Sequence, residues 1–214
     1  MRRWRRRRTT SRRRRVSGGP RWRGIGRTCR WGGCRGVGWS RSSGVVVVGG
    51  RVRLVEYDPG WPGVFEREAV RVRGVLGSAV LGLWHVGSTA VPGLAAKPVV
   101  DVVLVVADSA DEASYVPALE GAGYVLRLRE PGWREHRMFR GPGAEVNLHV
   151  FTVGDVEVAR MVAFRDRLRV SVEDRVLYEG VKRELAGREW EVLEGYAEAK
   201  AGVVADILSR ARPV

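Results

Sequence analysis

Gly87 and Ser88, followed after twelve residues by Asp101, form the pattern in this sequence with the most chemistry in it. A Gly-Ser pair at a strand end, leading into a helix, directs backbone N–H groups and a hydroxyl at an anion. A carboxylate on the neighbouring strand can hold a divalent ion, Mg²⁺ or Mn²⁺, beside that anion. Together they make half of a phosphate–metal site. Thr89 continues the small-residue loop, and Lys97, Arg137, Lys182 and Lys200 are cations able to contact phosphates. His149 alternates with Val146, Leu148 and Val150, so it shares a strand face with Asn147.

Each of these residues also has a structural reading. Gly87 and Ser88 can make a tight turn and a helix cap. Asp101 in an apolar strand is costly unless paired, and Lys97, Arg137 and His149 are the available partners. His149 and His85 can be hydrogen-bonded structural histidines, whereas His136 follows a loop and is expected to be solvated. Tyr57 and Trp61 could stack on a base, but Trp61 at a helix start reads as core. Arg165, Arg167 and Arg169 read as a solvated helix face.

The elements that must position these residues follow from periodicity. Residues 52–57 and 81–86 are short strand candidates, and 61–76 carries Val64, Phe65, Val70 and Leu76 at helical spacing. Residues 98–107 (PVVDVVLVVA) are β-branched with one acid, the pattern of a central strand buried on both faces. A helix is expected over 111–121, then strands over 124–129, 137–140 and 146–152, with Gly141-Pro142-Gly143 as a hairpin turn. From Asp155 the pattern turns helical, with further helices over 172–185 and 190–209. The fold class is α+β (α/β-like), a mixed sheet flanked by helices with C-terminal helices.

The 214 residues carry a formal net charge of +14, but unevenly. Residues 1–53 hold 18 Arg and no acid; the remaining 20 basic residues face 24 acidic ones, so a +18 head precedes a −4 body. The head has four Trp and 11 Gly but one short apolar run, 45–48, so residues 1–50 are expected to be a disordered extension before a domain over 51–212. A composition without Lys, Asp, Glu, Asn, Gln or Phe is that of G-rich codons, as expected of a start assigned too far upstream in a G+C-rich genome. A genuine basic tail, binding nucleic acid through Arg on phosphates and Trp on unpaired bases, is one alternative, and an organelle-targeting segment is another. No stretch resembles a secretory signal or a membrane span. Cys29 and Cys34 are too few for a zinc site, and the body has no cysteine, which excludes thiol catalysis there and makes the cytoplasm the default compartment.

Residues 55–62 (VEYDPGWP), 85–102 (HVGSTAVPGLAAKPVVDV), 137–139 (RMF), 148–150 (LHV), 163–166 (AFRD) and 196–200 (YAEAK) resemble the GrpB family, within the broader nucleotidyltransferase superfamily. The resemblance spans about 52–211. It implies a nucleotidyltransferase-like fold, with phosphates at Gly87, Ser88 and Thr89, a divalent metal at Asp101 and His149, and Lys97, Arg137 and Lys200 contacting the substrate. Asp101 and His149 would be the catalytic pair, His149 acting as ligand or base. The partner it implies is a nucleotide or a phosphorylated small molecule; related domains fused to dephospho-coenzyme A kinase suggest a coenzyme. The superfamily's acid-x-acid motif is broken here by Val103, and its third acid is replaced by Asn147 or His149. That leaves one ion at most, and makes a binding module without transferase chemistry the alternative to an enzyme.

Overall fold

The computed structural model describes residues 50–143, 146–190 and 193–211. The extension expected over residues 1–50 lies outside the described residues except for Gly50, and so do Cys29 and Cys34. In chain order the body begins with β1 (Gly50–Arg51), α1 (Trp61–Leu76), β2 (Gly82–Val86) and β3 (Val100–Val106). Next come α2 (Val116–Gly121), β4 (Val125–Glu130), β5 (His136–Arg140) and β6 (Val146–Thr152). The C-terminal part holds α3 (Val156–Val170), α4 (Val172–Ala186), β7 (Glu189–Trp190), α5 (Leu193–Glu198) and α6 (Ala201–Ser209).

Five strands form one mixed sheet in the order β2-β3-β6-β5-β4, with β3 and β6 parallel and the other neighbours antiparallel. The β-branched run of β3 is buried on both sides, as expected of an inner strand. On one face Val102, Leu104, Leu148 and Phe139 pack against the apolar stripe of α1 (Ala69, Val72, Leu76) and against Leu119 of α2. On the other, Val103, Val105 and Phe151 pack against Val158 and Met161 of α3. Leu94, Leu168, Tyr178 and Ile207 join the loop after β2 to α3, α4 and α6. Caps fix where the helices start. The Asp155 carboxylate accepts from the Glu157 N–H, and the Ser171 hydroxyl accepts from the Asp174 N–H.

Four local expectations give way. Residues 52–57 make only the Val55–Ala96 bridge, because Val52 is drawn into a separate cluster with Leu185 and Tyr196. The Gly-Ser loop leads into a 3₁₀ turn (Ser88–Ala90) and not an α-helix. Pro92 excludes the helical region for the preceding residue, and Val91 is extended. The helix over 111–121 becomes a 3₁₀ turn (Glu112–Ser114) and then α2, with Pro117 in the first turn of the new helix. The helix over 190–209 is divided: Glu189 and Trp190 pair with β1 as β7, the Trp190 indole N–H donates to the Leu185 carbonyl, and α5 and α6 follow as separate helices.

Candidate functional site

β2 and β3 run antiparallel with Val86 opposite Asp101, so the chain leaving β2 turns directly over the Asp101 carboxylate. Gly87 makes that turn at φ 72° and ψ −170°. A Cβ there would stand 2.6 Å from Asp101 Oδ2, so both the backbone and the close approach require glycine. Asp101, Asn147 and Arg140 stand side by side across β3, β6 and β5. Asn147 Nδ2 donates to Asp101 Oδ1 at 3.0 Å, and Arg140 Nη1 donates to Asn147 Oδ1 at 2.9 Å. This row lies at the rim of the second sheet face, beyond the side chains covered by α3.

A cavity of about 610 Å³ opens over the row. Ser88, Thr89, Lys97, Asp101, Lys182 and Lys200 line it, with Arg140, Asn147 and Tyr196. Asp101 is the one acidic residue in that lining among the described residues. Lys182 comes from α4 on the buried stripe of Asp174, Tyr178 and Leu185. Its Nζ donates to the Ser88 hydroxyl at 3.2 Å and to the Ala95 carbonyl. Lys97 and Lys200 both lie against the Tyr196 ring, their Nζ atoms 4.5 and 4.4 Å from its centroid. Burial, and then the neighbouring Lys200, push Lys182 down to about 7. Burial, and then Lys97, push Lys200 down to about 8, with Asp101 opposing the shift. The Tyr196 hydroxyl is buried without a hydrogen-bond partner among the described residues.

The structure therefore brings together Gly87, Ser88, Thr89, Lys97, Asp101 and Lys200. The Thr89 side chain is engaged, 3.0 Å from His85 Nε2. Burial, and then Arg169, push that histidine down to about 4. His149 sits behind the cavity wall, with its Nε2 3.7 Å from Asp101 Oδ1. Arg137 is not at the site. It stands opposite Val150, on the α2 side of the sheet, and donates to Glu112 at 2.5 Å and Glu135 at 3.1 Å. The two-residue period of β5 turns Arg140 toward Asp101 and Arg137 away. His136, expected in solvent, is buried between Glu130 and His149. Burial, then His149 and Arg137, push it down to about 3, while burial raises Glu130. Arg165 and Arg169, read as solvated, donate to the carbonyls of His85 and Ala90 and so tie α3 to both sides of the Gly-Ser loop.

The sequence reading assigns no site role to Arg140 or Tyr196, whereas it does offer Lys182 as a cation able to contact phosphates. A lysine at a core-facing helical position was the available signal for Lys182. Arg140 could have been found by extending the strand phase from the hairpin turn, whereas nothing local marks Tyr196.

A family model described as GrpB protein matches residues 51–210. A UPF0157 protein of Halalkalibacterium halodurans is 56% identical over 160 residues, covering 75% of this chain and 82% of that protein. A UPF0157 protein of Streptomyces coelicolor is 44% identical over 171 residues, 78% of this chain and 90% of that one. The crystal structure of conserved protein GrpB from Enterococcus faecalis superposes with a TM-score of 0.62 at 28% identity, covering 74% of this chain and 98% of that one.

Proposed function

The chain belongs to the GrpB family, and from that premise we propose that its cavity binds the phosphates of a nucleotide or phosphorylated coenzyme, with one divalent ion at Asp101. The observation that carries this reading is the gathering of Lys97, Lys182 and Lys200 in one cavity where, among the described residues, Asp101 is the one carboxylate in the lining. Ammonium groups crowded in this way repel one another and are poorly hydrated, and a polyphosphate relieves both costs.

The residues present suit one ion and not two. Asp101 and His149 Nε2 are the nearest donors, and no group of three or more His, Cys, Asp or Glu able to hold a metal forms among the described residues. Mg²⁺ and Mn²⁺ accept such a sparse set when ligand phosphates and water complete the shell. An ion held there would neutralise phosphate charge. Lys97 and Lys200 would bind phosphate oxygens, Lys182 would orient the Ser88 hydroxyl, and Gly87 would let the loop lie against Asp101. The position of a second carboxylate is filled by Val103, fully buried against α3, which favours binding without transfer. His149 beside Asp101 favours the other reading, nucleotidyl transfer, in which its Nε2 takes the acceptor's proton and Asp101 alone holds the ion.

Thermal unfolding with nucleoside triphosphates and coenzyme A, each with and without Mg²⁺ or Mn²⁺, tests the proposal. A ligand at one hundred times its Kd stabilises by about 2.7 kcal/mol. Asp101→Asn should abolish the metal-dependent part of that stabilisation. No stabilisation by any of these ligands would reject the reading. Release of labelled nucleotide onto an acceptor would select transfer over binding alone.

A further inference from the structure

The polar row on the second sheet face continues away from the cavity. His149 Nε2 lies 3.7 Å from Asp101 Oδ1, His149 Nδ1 lies 3.0 Å from His136 Nε2, and His136 Nδ1 lies 2.7 Å from Glu130 Oε2. The two imidazole planes are 16° apart with centroids at 5.2 Å, which suits an edge-to-edge N–H···N bond. Phe151 lies along His136 at 4.8 Å and Trp133 meets it edge-on at 5.3 Å, so the ring cannot turn freely.

The geometry points to Glu130 and His136 as positioning residues that hold His149 in its Nδ1–H tautomer, with the Nε2 lone pair directed at Asp101. An N···N hydrogen bond contains one proton, so the two rings must take opposite roles. A Glu130 carboxylate accepts the proton on His136 Nδ1. His136 Nε2 is then bare and accepts from His149 Nδ1–H, so in a neutral His149 ring the lone pair lies on Nε2. The reverse arrangement needs either a cationic His136 or a protonated Glu130. His136 is 4% exposed and adjoins Arg137, whereas the Glu130 side chain keeps 19% exposure, so the charge belongs on Glu130. At 3.7 Å, His149 Nε2 is also beyond hydrogen-bonding distance of Asp101 Oδ1, as two acceptors should be. The register that builds this row depends on an irregularity in β4 between Leu126 and Leu128. It brings Glu130 opposite His136, where an unbroken ladder would place Arg129.

What the lone pair serves, a metal ion or an acceptor's proton, rests on the function proposed above; the tautomer does not. The chain contains three histidines, so ¹⁵N-histidine labelling of the full chain gives three resolvable rings. Nitrogen NMR at neutral pH without ligand should show His149 protonated at Nδ1 and bare at Nε2, and His136 likewise. His136→Phe keeps the ring stacking but removes the acceptor, and Glu130→Ala frees His136 to reverse its own proton. Either change should move the His149 proton to Nε2, with the amide spectrum confirming the fold. A wild-type His149 protonated at Nε2, a cationic His136, or a His149 unchanged in folded variants would overturn the inference. A wrong tautomer with triphosphate binding intact would sink this inference alone. The expected tautomer without any phosphate or metal binding would sink the proposed function alone.

Discussion

Gly87 and Asp101 occupy space that only a hydrogen at the first position leaves open. Gly87→Ala would place a methyl 2.6 Å from the carboxylate, in a backbone region that side chains avoid. Such strain costs about 1–3 kcal/mol, and urea unfolding should register it. Ligand binding should fall further than stability, because the carboxylate must move. The lysines give a pH signature. Their folded-state values lie near 7 for Lys182 and 8 for Lys200, and under the proposed function it is the charged forms that would favour phosphate. Affinity for a triphosphate should therefore decline as pH rises through that range, with protons taken up on binding. Calorimetry in buffers of different ionisation enthalpy reads that uptake directly. Lys182→Met should remove the lower step and leave the one from Lys200.

The helix that carries Lys182 and the helix that Lys200 precedes meet at one buried acid. Asp174 accepts from Arg167 of α3 at 2.6 Å and from Arg210, after α6, at 2.7 Å. Burial raises its pKa, but the two guanidinium groups outweigh burial and hold it below the ordinary aspartate value. The stability it contributes is present above that ordinary value and is lost as pH falls through the lowered one. Asp174→Ala should cost about 1–3 kcal/mol, less than a fully buried pair because both arginines are partly exposed. Denaturant midpoints would measure it, and phosphate affinity should weaken as α4 and α6 loosen. Legibility follows the same division between local and distant causes. The strand that carries Asp101 could be read from its β-branched run, and the strand that carries His149 from the alternation of Val146, Leu148 and Val150 with polar residues. Arg137 was misplaced because its proximity in sequence to Arg140 hides a reversal of face. The irregularity in β4 has no marker residue, so Glu130 could not be assigned to His136 in advance. The 3₁₀ turn after Gly87 was in principle legible from Pro92.

At the scale of the whole chain, the positive charge and the candidate site belong to different segments. The +18 of residues 1–53 contrasts with the −4 of the remainder, whose three lysines all line one cavity. The chain shortened to residues 45–214 should keep its nucleotide response and bind no RNA. If the head is a genuine basic tail, the full chain should bind RNA with an affinity that falls steeply with salt. Equal RNA binding by both, in filter assays across a salt series, would move the contact to the body. No helix among the described residues is long and apolar enough to cross a membrane. The parallel pairing of β3 with β6 has a consequence for how the site comes into being. Asp101 meets Asn147 across 46 positions, and Lys182 meets Ser88 across 94. Closing such long loops is entropically unfavourable until the sheet and α4 are both in place. The cavity is therefore acquired together with the last long-range contacts. A ligand bound there as proposed would trap the finished topology and should slow unfolding of the entire body, helices remote from the cavity included.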